Sequence, residues 1–252
     1  MEITGSYNLI LVALSFVVSV FGSYTALRIS RQIGRAEAGS DRALWLGLAA
    51  FAMGGGAIWS MHFIGMVAFD LGIRVSYDVP VTLLSLAIAV GATGFGFLAV
   101  GHAADRPARL AGAGTMMGLG IAGMHYTGMY AMRMSASQSY GAALVLASIA
   151  IAVAASTAAL WLAFNLDQTW QTVGGAVVMG VAVCGMHYTA MAAASFTRGG
   201  RTVELGAAVV SPNALAYGVF LMSMLILSIG LAFEVGQRAL REEQTPSQIG
   251  DF

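Results

Sequence analysis

Three histidines, His62, His125 and His187, stand in near-repeated surroundings, 63 and 62 residues apart. The segments read Trp-Ser-Met-His-Phe-Ile-Gly-Met at 59 to 66, Ala-Gly-Met-His-Tyr-Thr-Gly-Met at 122 to 129, and Cys-Gly-Met-His-Tyr-Thr-Ala-Met at 184 to 191. Each histidine is followed four residues later by a methionine, Met66, Met129 or Met191, and side chains four apart share a helix face. Each is also preceded by a methionine, Met61, Met124 or Met186, which points about 100° away and is expected to serve a neighbouring site or to pack. Thioether beside imidazole suits copper, above all Cu(I). Zinc prefers thiolate or carboxylate with imidazole, and magnesium and calcium want oxygen. Twelve of the fifteen methionines lie within nine residues of one of the three histidines, although methionine also serves as a gap filler in cores.

Neighbouring groups carry weaker signals. Tyr126 and Tyr188 directly follow their histidines and are candidates to hydrogen-bond a ligand or to orient an imidazole, with simple packing as the competing reading. Thr127 and Thr189 are expected to bond their own backbone. Cys184 lies on roughly the His187 face, but its equivalents are Trp59 and Ala122, so it is expected to pack. His102, beside Asp105 and Arg106, is expected to be solvated.

The elements that must position these residues are membrane helices. Of 252 residues 58% are hydrophobic and 10% charged, against about 25% charged in soluble domains. Mean hydropathy is +0.78. Apolar runs at about 8 to 27, 43 to 69, 80 to 101, 110 to 132, 142 to 164, 172 to 196 and 212 to 236 are each long enough to span. The expectation is an all-α bundle of seven transmembrane helices, built from three helical hairpins plus a seventh helix. It forms one domain over 1 to 240, with a polar cytoplasmic tail over 241 to 252. Eight arginines fall on one side and four on the other, which places the N-terminus outside and the C-terminus in the cytoplasm. Arginines 28, 31 and 35 follow the first run, which has no small-residue cleavage site and reads as a retained helix. Helices 2, 4 and 6 then run outward in parallel, with their histidines seven to nine residues before the outer ends, roughly 10 to 14 Å deep.

Composition also excludes functions. Net charge is zero and no basic face exists for nucleic acid. All twelve basic residues are arginine, so a retinal Schiff base has no lysine to form on. One cysteine allows no intrachain disulfide and no CxxC site.

The two Met-His-Tyr-Thr runs and the degenerate Met-His-Phe-Ile resemble the MHYT family of bacterial integral membrane sensor domains, over nearly the whole chain. The resemblance implies a multi-pass protein of the bacterial inner (cytoplasmic) membrane. It also implies that the repeated Met, His and Tyr hold one or two copper ions and sense a diatomic gas such as O2, CO or NO. These roles carry over to Met61 and His62, to Met124, His125 and Tyr126, and to Met186, His187 and Tyr188. Phe63 and Ile64 depart from the motif, so the first repeat supplies no phenol or hydroxyl. Family members often continue into cytoplasmic output domains. Here the residues after Glu243 are a short polar tail, so signalling is expected through a separate cytoplasmic protein or an output domain missing from this chain. Rival readings are a copper or cation transporter, a copper-dependent redox enzyme, and a haem protein, since His and Met are also axial haem ligands. No catalytic output domain is recognised, so an enzyme is the less favoured reading.

Overall fold

A computed structural model describes residues 2–36, 39–101, 106–166, 168–199 and 208–244. It contains seven long helices: α1 Leu9–Arg35, α2 Ser40–Ala68, α3 Val79–Val100, α4 Pro107–Tyr130, α5 Ala142–Asn165, α6 Thr169–Ala192 and α7 Pro212–Gln244. Their starts follow local chemistry. Asn8 accepts hydrogen bonds from the Ile10 and Leu11 amides at 3.0 and 3.3 Å and caps α1, and Asp78 accepts from the Val81 amide at 3.1 Å and caps α3. Gln168 and Gln171 form a reciprocal capping box at the start of α6. The middle of α2, Phe51–Trp59, is wound as a π-helix through three successive glycines, and the Ser60 hydroxyl donates to the Gly55 carbonyl at 2.9 Å.

Helices α1 to α6 close into a ring in which each packs on its chain neighbours and α6 returns to α1, while α7 lies outside against α2 and α1. The polarity is that of a protein dissolved in lipid. Large apolar side chains such as Leu83, Leu98, Leu146 and Phe220 face outward, and Ser15, Ser19, Ser23 and Ser30 line the buried face of α1. Six helices are long and apolar enough to cross a membrane. The remaining one, α4, has the same 24-residue length as α5 and α6 but carries many glycines and packs between α3 and α5. The chain is a multi-pass membrane protein.

Close approach depends on glycine. A Cβ on Gly54 of α2 would stand 2.6 Å from the Ala89 carbonyl oxygen of α3, and one on Gly118 of α4 would stand 2.5 Å from the Val153 Cα of α5.

One end of the bundle differs from the sequence expectation. The breaks read there as turns and charges are short antiparallel strands: β1 Glu2–Ile3, β2 Ser6–Tyr7, β3 Phe69–Asp70, β4 Val75–Asp78, β5 Met132–Met134, β6 Ala136–Tyr140, β7 Ala194–Arg198 and β8 Val209–Val210. They pair as β1-β7-β6, β2-β3 and β5-β4-β8. Backbone groups leaving a helix near lipid need partners, and a strand ladder supplies them. The α2, α4 and α6 helices therefore end at residues 68, 130 and 192, before their apolar runs do at 69, 132 and 196. The three histidines lie six, five and five residues before the ends of α2, α4 and α6 (68 − 62, 130 − 125, 192 − 187), with strands beyond. Several sites lie outside the described residues: His102 and Asp105, the arginine at 201, and the tail from 245 onward.

At this end Arg133 of β5 donates to the Asp78 carboxylate at 2.7 Å. Its hydrogen bond, with that of the Val81 amide, holds the carboxyl below its usual range. A folded pKa below the unfolded one gives stability that is present above the unfolded value and lost as pH falls. Melting temperature in detergent is therefore expected to decline below about pH 4, and Asp78→Asn to flatten that decline. Gly54→Ala is expected to lower stability by about 1 to 3 kcal/mol through overpacking. Gly91→Ala on α3, with nothing within 4 Å of the added carbon, should leave the melting curve unchanged or raise it.

Candidate metal centre

The ring brings His62, His125 and His187 together. Parallel helices α2, α4 and α6 alternate with α3, α5 and α1 around it, so equivalent positions face one axis at one depth. The His62 Nδ1 lies 3.0 Å from His187 Nδ1 and 3.1 Å from His125 Nδ1, and the ring centroids are 4.8 to 5.2 Å apart. All three rings are essentially inaccessible to solvent.

A neutral imidazole has one N–H and one lone pair, and each nitrogen-to-nitrogen contact needs one of each. His62 Nδ1 takes part in both contacts, so it must accept two protons on one lone pair or share one proton between two acceptors. The three Nε2 atoms are buried with no hydrogen-bond partner. Such groups cost roughly 1 to 3 kcal/mol each when left unsatisfied. A cation at the centre resolves the conflict, because three lone pairs can then point at one electrophile. Metal–nitrogen bonds of about 2.0 Å in a tetrahedral site put the nitrogens about 3.3 Å apart, close to the two His62 contacts found here, and the three candidate ligand atoms all lie within 4.8 Å of one another.

Small residues one turn beyond the histidines make room for the rings. A Cβ on Gly128 of α4 would lie 2.2 Å from His62 Nε2, and one on Gly65 of α2 would lie 2.4 Å from His187 Nε2. The equivalent residue of α6 is Ala190, also fully buried.

The six motif methionines are all buried. Met66 lines a cavity at the strand-bearing end, and Met186 lines a small apolar cavity with Ile58, Met117 and Met179. The tyrosine hydroxyls turn away from the centre. Tyr126 pairs with Ser148 of α5 at 2.9 Å, and Tyr188 with Ser15 of α1 at 3.0 Å. Those serines donate their own protons to the Val145 and Val12 carbonyls at 2.7 Å, so the tyrosines are the donors. The tyrosine rings meet their histidines edge to face, at 5.0 Å for His125 and 4.8 Å for His187. Phe63 does the same to His62 at 4.7 Å. In place of the missing phenol, Trp59 donates its indole N–H to Ser85 of α3 at 3.0 Å. Cys184 sits beside Ser15 and Tyr188 at the α6–α1 seam, apart from the histidine cluster.

These contacts expose a second repeat that the histidine motif does not reveal. Ser-Tyr-Asn at 6 to 8, Ser-Tyr-Asp at 76 to 78 and Ser-Tyr-Gly at 139 to 141 open α1, α3 and α5, and each tyrosine is followed eight residues later by Ser15, Ser85 or Ser148. Tyr7 packs on Tyr188 at 5.6 Å, Tyr77 on Phe63 at 6.1 Å and Tyr140 on Tyr126 at 5.5 Å. Three files of aromatics thus run from the imidazoles to the strand-bearing end. Burial raises the phenol pKa values at their outer ends, to about 12 for Tyr7 and Tyr140. The α1 helix completes the third unit.

Comparison with known proteins agrees with this architecture. The family model described as "Bacterial signalling protein N terminal repeat", MHYT, matches three times, at residues 55–113, 118–176 and 180–245. The chain is 44% identical over 235 residues to the bifunctional diguanylate cyclase/cyclic di-GMP phosphodiesterase MucR of Pseudomonas aeruginosa, covering 91% of this chain and 34% of that protein. It is 37% identical over 204 residues to the cyclic di-GMP phosphodiesterase NbdA of the same organism, covering 75% of this chain and 24% of the relative. It is 32% identical over 203 residues to the signaling protein YkoW of Bacillus subtilis, covering 78% and 25%. The chain thus spans about a third or less of the length of these relatives. No solved structure matches it. With the repeat matched three times across most of its length, the chain belongs to the MHYT family of bacterial signalling proteins.

Proposed function

We propose that this chain is a sensor module of the bacterial inner membrane that binds copper at His62, His125 and His187 and reports a diatomic gas, O2, CO or NO, to the cytoplasm. The observation that carries the reading is the convergence of three imidazole nitrogens, 3.0 and 3.1 Å apart, inside an apolar ring. Imidazole among buried thioethers is a donor set suited to copper, with Met61, Met124, Met129, Met186 and Met191 as the sulfur supply at the seated ion and Met66, at the wall of the cavity beyond, as a thioether met on the way in. Bound copper would supply an open coordination position for the gas. The chain's own residues do the rest. Gly65 and Gly128 admit the rings, and Phe63, Tyr126 and Tyr188 brace them edge-on. The serine bonds tie Tyr126 and Tyr188 to α5 and α1.

Rings in mutual contact at 4.8 to 5.2 Å leave no gap between them for a porphyrin, which favours a bare ion over haem. All seven helices span, α4 included, because it is packed along α3 and α5. The strand-bearing end faces outside, where the arginine count puts it. A ligand that alters the spacing of the imidazoles shifts α2, α4 and α6 against one another, and α7, seated on α2 and α1, carries the shift toward the cytoplasm. The names of the relatives point to cyclic di-GMP synthesis or breakdown as the output, carried out by a cytoplasmic catalytic unit.

The test is elemental analysis of protein purified in detergent. Copper is expected in the wild type and lost in the variant with His62, His125 and His187 all changed to Ala. Gly128→Ala keeps every histidine but displaces one ring, and should weaken copper binding by about 10- to 100-fold with the helix content retained. Tyr126→Phe and Tyr188→Phe should keep their copper. Unchanged metal content in the triple variant would sink the proposal.

A further inference from the structure

Among the described residues, a cavity of about 440 Å³ opens at the strand-bearing end, between the starts of α1 and α7 and the end of α2. Tyr7, Asn8, Asp70, Tyr77 and Asn213 contribute to its polar lining, and Met66 is among its wall residues. Met66 connects the cavity to the histidines. It stands one turn beyond His62 on the same helix face. It also directly follows Gly65, the residue against which His187 Nε2 is packed. Two of the three aromatic files, those ending in Tyr7 and Tyr77, lead down from this cavity to His187 and His62.

Size and polarity indicate what such a chamber serves. A diatomic gas dissolves in hydrocarbon and reaches a membrane interior through lipid. It is only somewhat larger than a water molecule, whose share of liquid volume is about 30 Å³, so a polar chamber of this size is not built for it. A metal ion is the opposite case. Lipid excludes it, and it arrives carrying water that must be replaced ligand by ligand. The cavity offers hard oxygen at its rim, where one oxygen of Asp70 accepts from the Gly72 amide and steadies the carboxylate. It offers a soft thioether in its wall at Met66, one helical turn from His62. That order suits a soft cation shedding its water in steps.

We propose that this cavity is the loading vestibule of the histidine site. A hydrated soft monovalent cation enters from the strand-bearing end, meets the Asp70 carboxylate, passes to the Met66 thioether and is delivered to His62. The inference rests on the reading of the three histidines as a metal site. It makes Met66 a station on the route, whose loss changes the rate of filling and leaves the filled site intact.

The probe is Ag(I), a soft monovalent ion without redox chemistry. It is mixed with the full chain in detergent, quenched with chelator at set times, and measured as bound silver after desalting. Two variants address the route: Met66→Leu removes the thioether at similar volume, and Asn213→Trp narrows the exposed rim. Both are expected to slow silver uptake several-fold while reaching the wild-type final content, with unchanged melting curves. Wild-type uptake rates in both variants, with binding still dependent on the histidines, overturn the vestibule and leave the metal site standing. A lowered final content in Met66→Leu at an unchanged rate also overturns it, because Met66 is then a resident ligand. If the wild type binds no silver beyond the triple histidine variant, the metal reading fails and the vestibule fails with it.

Discussion

Three imidazoles pressed nitrogen to nitrogen in a lipid-embedded interior are the constraint around which the rest of this protein is arranged. The contacts at 3.0 and 3.1 Å meet at His62 Nδ1, which must accept two protons on one lone pair or share one proton between two acceptors, and the rings are shut off from bulk solvent. Something else must hold the rings there. Close helix packing does so, and it in turn demands glycine where the backbones and rings touch, at Gly54, Gly65, Gly118 and Gly128. The cluster is a strained polar knot, and the apolar ring is its clamp.

The clamp is built from three similar units with one substitution that repairs itself. In two units a tyrosine beside the histidine both braces the imidazole and bonds a serine on the neighbouring helix. In the first unit these tasks are divided. Phe63 braces His62, and Trp59, one turn earlier, reaches Ser85. A motif that looks degenerate at Phe63 therefore preserves the contact that joins inner helix to outer helix. The hydroxyls serve architecture here, and imidazole nitrogens meet at the candidate centre.

Much of this was legible in the sequence. A 63- and 62-residue period places histidines at one depth in parallel helices, and apolar runs long enough to span make lipid the solvent. The convergence of His62, His125 and His187 follows from those two facts. Less legible were the strands at one end, because segments of two to five residues carry little alternation and their pairing is between distant parts of the chain, as between Glu2 and Thr197. The direction of Tyr126 and Tyr188 was hidden for another reason. Adjacent residues on a helix point about 100° apart, so a motif written in a row is spread around the helix in space. The Ser-Tyr repeat at 6, 76 and 139 was present but off the histidine register, with its first copy displaced to the other end of the chain from the helix it serves.

That displacement governs the order in which the protein can assemble. The α1 helix belongs structurally with α6, yet it enters the membrane before the other five helices of the ring. Until α6 arrives, the serine at position 15 has no phenol to receive, and the ring stands open on one side. An incomplete chain can bring at most two of the imidazoles together, so a cation meeting it during synthesis finds half a cage. The seam between the first helix and the sixth acts as the latch of the structure, and the cluster of three imidazoles exists only once the ring has been closed.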